Sequence, residues 1–534
     1  MTDKDSEYIL PEHVSRTLGR EAQRNNILAA KVIADIVKTT LGPRGMDKML
    51  VNSSGEVIVT NDGVTILEEM EIDHPAAKMI TDIAKTQESE VGDGTTTAAL
   101  LAGTLLAEAE KLLERKIHPT VIAKGYRLAV GEALRILQIL AIPVKSKEVL
   151  KQVVMTAMTG KGAEGNKEAL SELIVQAVDQ VAEKKEISLS DIKIQKLKGE
   201  SVQDSTLIQG MIIDKERSHS EMPSLVSKAR ILILDCALEL KSPESETKIS
   251  ISSPDQLNSF LESEENRLKE MADLLIASGA SVIFCQKGID DVLQYYLAKA
   301  GIFACRRVAK SDLEKIAKAT GGKIISQLRD VHLSQLGSAD EVEEVRKGED
   351  FLVYIRGCSN PHAVTILLRG STQHILDELE RAVKDGLGDV IAAIKSGAVV
   401  AGGGAVEIEL SKQLRVFARS LGGREQLAVD AFANSLECVP EALAENAGLD
   451  PIDILAELKR KHETGSATHG LNLFTNQIED MLSAGIIEPL KVKTQAISSA
   501  AEVASMILRI DDVLISKGPD SNAKKINNPY RDID

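Results

Sequence analysis

The sequence contains no tryptophan, and aromatic residues make up only 2% of its 534 positions. So few aromatic faces leave little surface on which nucleobases could stack. Positive charge is also scarce, with 64 Lys and Arg against 80 Asp and Glu for a formal net charge of −16. A chain this acidic is poorly suited to neutralising a nucleic-acid backbone, so no nucleic-acid partner is expected. No uninterrupted apolar run approaches the ~20 residues of a membrane span, so no membrane partner is expected. The opening MTDKDSEYIL is acidic and lacks the apolar core of a signal peptide, which points to a cytoplasmic location. The five cysteines, Cys236, Cys285, Cys305, Cys358 and Cys438, are odd in number, scattered and never spaced C-x-x-C. That is the pattern of reduced core thiols, not of a disulfide framework. The nine histidines form no HExxH pairing, and His462 and His469 fall in a polar stretch that reads as a loop. Zinc is therefore not expected, and any metal would be a hard ion on carboxylates and phosphates. The absence of G-x-x-x-x-G-K-[ST] excludes the ordinary P-loop classes.

What is present is a normal globular composition, 43% hydrophobic and 27% charged. The length suggests roughly three or four domains. The densest local pattern is Gly92-Asp93-Gly94-Thr95-Thr96-Thr97, which runs into the apolar-periodic segment Ala98 to Leu113. Glycines allow close backbone approach to a ligand, and the N–H groups of the following helix attract anions. Asp93 supplies a hard oxygen for Mg2+ and the three hydroxyls supply donors. The alternative is an ordinary helix cap, since Asp and Thr both serve there.

Along the chain, Glu21 to Thr40 has helical spacing and halts at Leu41-Gly42-Pro43-Arg44-Gly45. Strands are expected at Lys48 to Asn52 and Glu56 to Thr60, then helices dominate from Ala76 to Leu140. The texture changes at Ile142-Pro143. Glu148 to Lys184 reads as helix, and Ile187 to Met211 as short strands. The runs Ile231 to Leu234, Val282 to Cys285 and Ile302 to Cys305 alternate with helices, as in an α/β domain. A polar insert, Glu239 to Glu265, precedes a helix expected from Ser259 to Ser278 and should project into solvent. Strands at Phe351 to Arg356 and Val364 to Leu368 lead to a helix from Thr372 to Ile394. From Gly402 the chain is helical again, with strand-like Ile486 to Val492 and Asp512 to Ser516. The tail Lys517 to Asp534 reads as disordered.

Several further motifs carry chemistry only weakly on their own. The loop at Leu41, Gly42 and Pro43 either cradles phosphate or merely stops a helix. Asn61-Asp62-Gly63 is a turn or cap, or else makes Asp62 a catalytic carboxylate. In Thr159-Gly160-Lys161-Gly162 the lysine either reaches a terminal phosphate or is a solvated loop side chain. Gly402-Gly403-Gly404, between two expected helices, either approaches a ligand or ends the first helix. Asp385 has the pattern of an exposed helical acid.

Taken in order and at these separations, LGPRGMDKML, VTNDGVTIL, VGDGTTT, TAMTGKGAE, VVAGGGAVEIEL, GIIEPLKVKTQAI and ILRIDDVL closely resemble the group II chaperonins, the thermosome and its eukaryotic cytosolic relatives. The resemblance spans Tyr8 to Ser516, including VIFCQKGIDDVLQYYLAKAGIFACRRVAKSDLEKIAKATGG in the middle. It implies a multidomain α+β and α/β fold whose subunits stack in double rings, with eight members per ring. A mainly α equatorial ATPase domain would comprise residues 1–143 and 397–534, and an intermediate domain 144–210 and 367–396. The apical α/β domain would be 211–366, with a built-in lid at about 241–265. ATP or ADP and Mg2+ would be the cofactors, and non-native polypeptides the substrates, held by the helix Asp290 to Ala300. By motif, Leu41, Gly42 and Pro43 would pack on the nucleotide. Asp93 would ligate Mg2+, and Gly94, Thr95, Thr96 and Thr97 would hold the phosphates. Asp62 and Asp385 would orient and deprotonate the attacking water, Gly160 and Lys161 would sense the γ-phosphate, and Gly403, Asn472 and Glu488 would line the base and ribose side. The ending KKINNPYRDID departs from the Gly/Met-rich tail of many archaeal members, so no role of that tail carries over. A small-molecule kinase using the same loops and a ring protein without turnover are the alternatives from other classes.

Overall fold

The computed structural model describes residues 14–51, 55, 57–161, 164–181, 187–199, 201–240, 254–347, 350–358 and 364–516. It divides into two compact units, Met1–Pro143 with Ser396–Asp534, and Val144–Lys395. The first segment comprises β1 (Val14–Leu18), α1 (Gly19–Lys38), the hairpin β2 (Lys48–Val51) and β3 (Val57–Thr60), α2 (Gly63–Glu69), α3 (Pro75–Val91), α4 (Thr95–Glu114), α5 (Pro119–Leu140) and β4 (Ile142–Pro143). α1 forms because Ile27, Ala30, Ile33, Ala34 and Val37 recur every three or four residues and make one buried stripe. α4 is buried on most of its surface. A Cβ on Gly103 would lie 2.3 Å from the Cβ of Ala34, so α1 and α4 touch almost backbone to backbone. In α5 the buried Tyr126 hydroxyl donates to the Leu105 carbonyl at 2.7 Å.

The second unit opens with α6 (Lys147–Met158) and α7 (Lys167–Val181), followed by β5 (Ile192–Lys198), β6 (Thr206–Asp214) and β7 (Leu225–Leu234). Next come α8 (Pro254–Ala277), β8 (Val282–Cys285), α9 (Asp291–Lys299), β9 (Phe303–Cys305), α10 (Lys310–Thr320) and β10 (Ile324–Ile325). It finishes with β11 (Gly337–Lys347), β12 (Asp350–Cys358), β13 (Val364–Gly370) and α11 (Gln373–Ser396). One nine-stranded sheet runs β5-β13-β6-β12-β11-β7-β8-β9, with β10 also on β7. β7, β8 and β9 are parallel and alternate between two cores. Leu232, Ile283 and Ala304 meet Leu275, Leu293 and Leu297 of α8 and α9, while Ile231, Phe284 and Phe303 meet Leu313 and Ile316 of α10. Both faces are covered, which is why these strands read as continuous apolar runs. At the other end, α6, α7 and α11 share a core with β5 and β13.

The final segment returns to the first unit with β14 (Ala398–Ala401), α12 (Ala405–Ser420), α13 (Glu425–Leu436), α14 (Cys438–Asn446), α15 (Pro451–Glu463), β15 (His469–Asn472), β16 (Gln477–Asp480), β17 (Ile487–Pro489), α16 (Leu490–Leu508) and β18 (Asp512–Ser516). β14 pairs antiparallel with both β17 and β4, and β1 pairs antiparallel with β18. Phe432 of α13 meets the Tyr126 ring edge-on at 5.6 Å.

Several expectations change. The helix expected from Glu148 to Lys184 is two helices, parted around Gly160. The glycines at 402–404 follow a strand, β14, not a helix, because Val399 and Val400 sit between two partner strands. The strand-like run to Val492 stops at Pro489, whose ring starts α16. α8 begins at Pro254, before the expected Ser259. His462 is fully buried at the end of α15, its Nδ1 2.8 Å from Glu409, and so is no loop residue. Cys285, Cys305 and Cys438 are buried free thiols, whereas Cys236 and Cys358 are half-buried. Burial pushes the Cys285 and Cys438 thiols up to about 12. Residues 241–253 of the expected lid and the tail from 517 lie outside the described residues.

Because α1 and α4 meet at Ala34 and Gly103, Gly103→Val should destabilise the protein by about 1–3 kcal/mol through overpacking. A lowered midpoint of urea unfolding, followed by circular dichroism, is the expected result.

Candidate functional site

The candidate residues of the first unit are joined by an unbroken chain of contacts. Between α3 and α4 the backbone turns through Gly92, Asp93 and Gly94. Gly94 is the N-cap of α4 with φ +81°, a conformation that costs a side-chain-bearing residue roughly 1–2 kcal/mol. The N-cap residue itself has no side chain, and the first turn of the helix carries the positive end of its dipole. Thr95 and Thr97 are buried. The buried Gln87 holds the turn, its Nε2 donating to the Asp93 carbonyl at 2.9 Å and to the Val492 carbonyl at 3.2 Å.

Asp62 stands against this helix end. A Cβ on the adjacent Gly63 would fall 2.6 Å from Thr96 Oγ1 and 3.2 Å from the Thr96 nitrogen. Asp62 does cap α2: its Oδ2 accepts from the Thr65 backbone at 3.0 Å and from Thr65 Oγ1 at 2.7 Å, and its Oδ1 accepts from Val64 at 3.4 Å. A carboxylate has about four lone-pair sites, so capping does not exhaust it.

On the far side, Gly404 caps α12, again without a side-chain bond. Gly403 is walled in, since a Cβ there would lie 2.7 Å from Met481 Sδ and 2.9 Å from the Leu471 carbonyl. The Gly403 carbonyl accepts from Leu471 at 2.8 Å. Asn472, one residue on, is buried and spends its amide on the hairpin, with Nδ2 to Glu479 at 3.0 Å and Oδ1 accepting from Phe474 at 3.0 Å. Gly42 faces Leu443 and Leu473, the latter two residues beyond Leu471. Asn446 Nδ2 fixes the end of α1 by donating to the Lys38 carbonyl at 3.0 Å and the Leu41 carbonyl at 2.9 Å. Leu41 and Pro43 are half-buried beside it.

Charge is concentrated behind these turns. Lys493 Nζ lies 2.8 Å from Glu407 Oε1 and 2.7 Å from Glu488 Oε2. Burial pushes the Glu488 carboxyl up, with help from Glu407 and Asp93 and against the pull of Lys493. The two carboxylates hold the Lys493 ammonium in its charged form despite burial. Sequence reading missed Gln87, Glu407 and Lys493, because a polar residue inside a helix carries no local sign of being buried.

The second unit brings Asp385 of α11 and Lys161 together, with Nζ 2.5 Å from Oδ2. Neither is the exposed side chain its local pattern suggested, since 24% and 18% of the two side chains are accessible. Gly160 directly precedes this lysine in the turn after α6.

The first unit thus offers two helix N-termini with glycine at the N-cap, close backbone approach and a hard carboxylate, a donor set suited to a polyphosphate. No group of three His, Cys, Asp or Glu among the described residues could hold a metal unaided. The residues fit an ion such as Mg2+, which keeps waters and takes phosphate oxygens alongside one or two carboxylates.

A sequence profile of the TCP-1/cpn60 chaperonin family matches residues 33–518, and the chain belongs to that family. It is 56% identical over 516 residues to thermosome subunit alpha of Archaeoglobus fulgidus, covering 96% of this chain and 95% of that protein. It is 54% identical to a thermosome subunit of Methanopyrus kandleri, covering 95% and 94% of the two chains. Among solved structures it is similar to the open-state monomer of a group II chaperonin from Methanococcoides burtonii, with a TM-score of 0.61 and 46% identity. That match covers 79% of this chain and all of the other. The fold is that of the group II chaperonins, and the chain is an ATP-dependent chaperone subunit that works in a multi-subunit double ring on unfolded protein.

Since Gly94 needs a left-handed conformation and its Cβ would fall 2.7 Å from Val492 Cγ1, Gly94→Val should disturb the end of α4. Calorimetric titration with a non-hydrolysable ATP analogue should show affinity reduced about ten-fold or more, the equivalent of the left-handed penalty.

Proposed function

We propose that the first unit binds ATP or ADP with Mg2+ and that hydrolysis there drives closure of a lid over non-native polypeptide. The observation that carries this reading is the glycine N-cap of α4 at φ +81°, with Asp93 beside it and Gly63 packed on Thr96. Gly94 and Thr95 to Thr97 hold the phosphates with backbone N–H groups and hydroxyls. Asp93 ligates Mg2+, which when bound draws charge off the phosphate oxygens. Leu41, Gly42 and Pro43 pack on the nucleotide, while Gly403, Asn472 and Glu488 border its base and ribose. Asp62 and Asp385 orient and deprotonate the attacking water, as positioned carboxylates do. Gly160 and Lys161 respond to the γ-phosphate, and the Lys161–Asp385 ion pair couples that response to the carboxylate.

The same reading divides the chain into an equatorial domain, residues 1–143 and 397–534, an intermediate domain, 144–210 and 367–396, and an apical domain, 211–366, whose lid is about 241–265. Substrate binds along Asp290 to Ala300, where Val292 and Tyr295 are exposed at 42% and 48%. The rings are eight-membered and cytoplasmic, with neither nucleic acid nor membrane as partner. Among the described residues no helix is long and apolar enough to cross a membrane.

Asp93→Ala rings, lacking the proposed metal ligand, and Asp385→Asn rings, lacking a positioned acid–base group, should each lose about a hundred-fold or more in ATP turnover. They should also fail to release refolded substrate. Wild-type turnover in both variants would remove these two residues from the mechanism. Native mass measurement of the assembled particle should return sixteen subunits, two closed rings of about eight, and any other count would overturn that ring size.

A further inference from the structure

Lys493 has no part in the roles above, yet its environment is the most tightly constrained in the first unit. It lies in the first turn of α16 and is 4% exposed. Its ammonium joins Glu407, in the first turn of α12 after Gly404, to Glu488 at the centre of β17, where Glu488 pairs with Val400 of β14. One buried cation therefore ties α16 to the helix that leaves the Gly402–Gly404 turn and to the strand paired with the one that enters it. The neighbouring residue extends this tie to the other side of the site. The Val492 carbonyl accepts from the same Gln87 amide that holds the Asp93 carbonyl, and Val492 Cγ1 lies where a Cβ on Gly94 would fall. Moving the first turn of α16 would move the Asp93–Gly94 turn with it.

The charges point the same way. Glu407 is 2% exposed, and its Oε2 has no hydrogen-bond partner among the described residues, which leaves Lys493 to offset that carboxylate. Asp93 is close enough to act on Glu488. Without Lys493, three carboxylates would stand behind the place where a polyphosphate binds. A buried charge left without its partner is strongly unfavourable.

We infer that Lys493 is a positioning residue for nucleotide binding: by bridging Glu407 and Glu488 it fixes the Gly402–Gly404 and Asp93–Gly94 turns and offsets the carboxylate charge behind the phosphates. The inference rests on reading the first unit as the ATP site.

The test uses assembled full-length protein as wild type, Lys493→Met, Lys493→Arg and the double variant Glu407→Gln/Lys493→Met. Steady-state ATP hydrolysis is measured together with amide hydrogen exchange over residues 92–97 and 402–406 in the absence of nucleotide. Lys493→Met should raise KM for ATP at least about ten-fold, the low end of what removing one partner of a buried pair costs, with a smaller change in kcat. It should also speed exchange selectively in those two segments. The double variant should recover part of the KM, because the uncompensated Glu407 charge is gone, and Lys493→Arg should stay near wild type. Wild-type KM and exchange in Lys493→Met would overturn the inference, as would faster exchange spread evenly over the whole unit. If Lys493→Met does not fold, the double variant decides, since wild-type KM and exchange there would show that no bridge is needed. A wild-type protein that neither binds nor hydrolyses ATP sinks the ATP-site reading instead, and the exchange comparison still decides whether Lys493 positions the turns.

Discussion

The rest of the first unit depends on a helix that is buried along its body and begins at a glycine. α4 is lined with Ala98, Ala99, Ala102, Gly103 and Ala109, which let neighbouring helices approach closely. That burial cannot be relaxed without opening the core, so the position of its N-terminal turn is set by packing well away from it. The end so placed has glycine as its N-cap residue, so the cap position itself brings no side chain to it. Stability and site are thus one constraint, because the apolar stripe that builds the core also aims the helix dipole.

Around that end, the surrounding turns are held by groups that do no chemistry themselves. Gln87 and Asn446 are amides spent on backbone carbonyls, and Asn472 closes a hairpin with its own side chain. The first two fix glycine-bearing turns, at Gly92–Gly94 and Gly42, whose backbone comes close to a neighbour. In the second unit a comparable tie is made by charge, between Lys161 and Asp385, which are 224 residues apart in sequence.

Much of this was legible in the sequence where local pattern and environment agree. The stripe of α1, the hairpin of β2 and β3 and the buried runs of β7 and β8 all took the form their periodicity suggested. Local pattern failed where tertiary partners decide. Ala398 to Ala401 could extend the long helix before it, and only pairing with β4 and β17 makes it a strand. β11 carries Glu341, Glu343 and Glu344 among its apolar residues, so its alternation is blurred, yet it pairs on both edges. The string at 92–97 was ambiguous between a cap and an anion cradle, and the structure puts Gly94, which has no side chain, at the N-cap position. The Asp62 turn was ambiguous in the same way, and there the cap is real. Lys493 could not be found at all, since a lysine at the start of a helix has the same local pattern whether solvated or locked between two acids.

The pairing of β1 with β18, closed by Arg16 on Asp512 at 2.6 Å, sets an order on biosynthesis. The first unit is assembled from both ends of the polypeptide, and its sheet of β17, β14 and β4 likewise needs strands from each. The second unit is a single continuous stretch that has left the ribosome before β18 is made. A nascent chain can thus complete the middle of the subunit while the first unit remains open. That unit cannot close on itself until translation has passed Ser516.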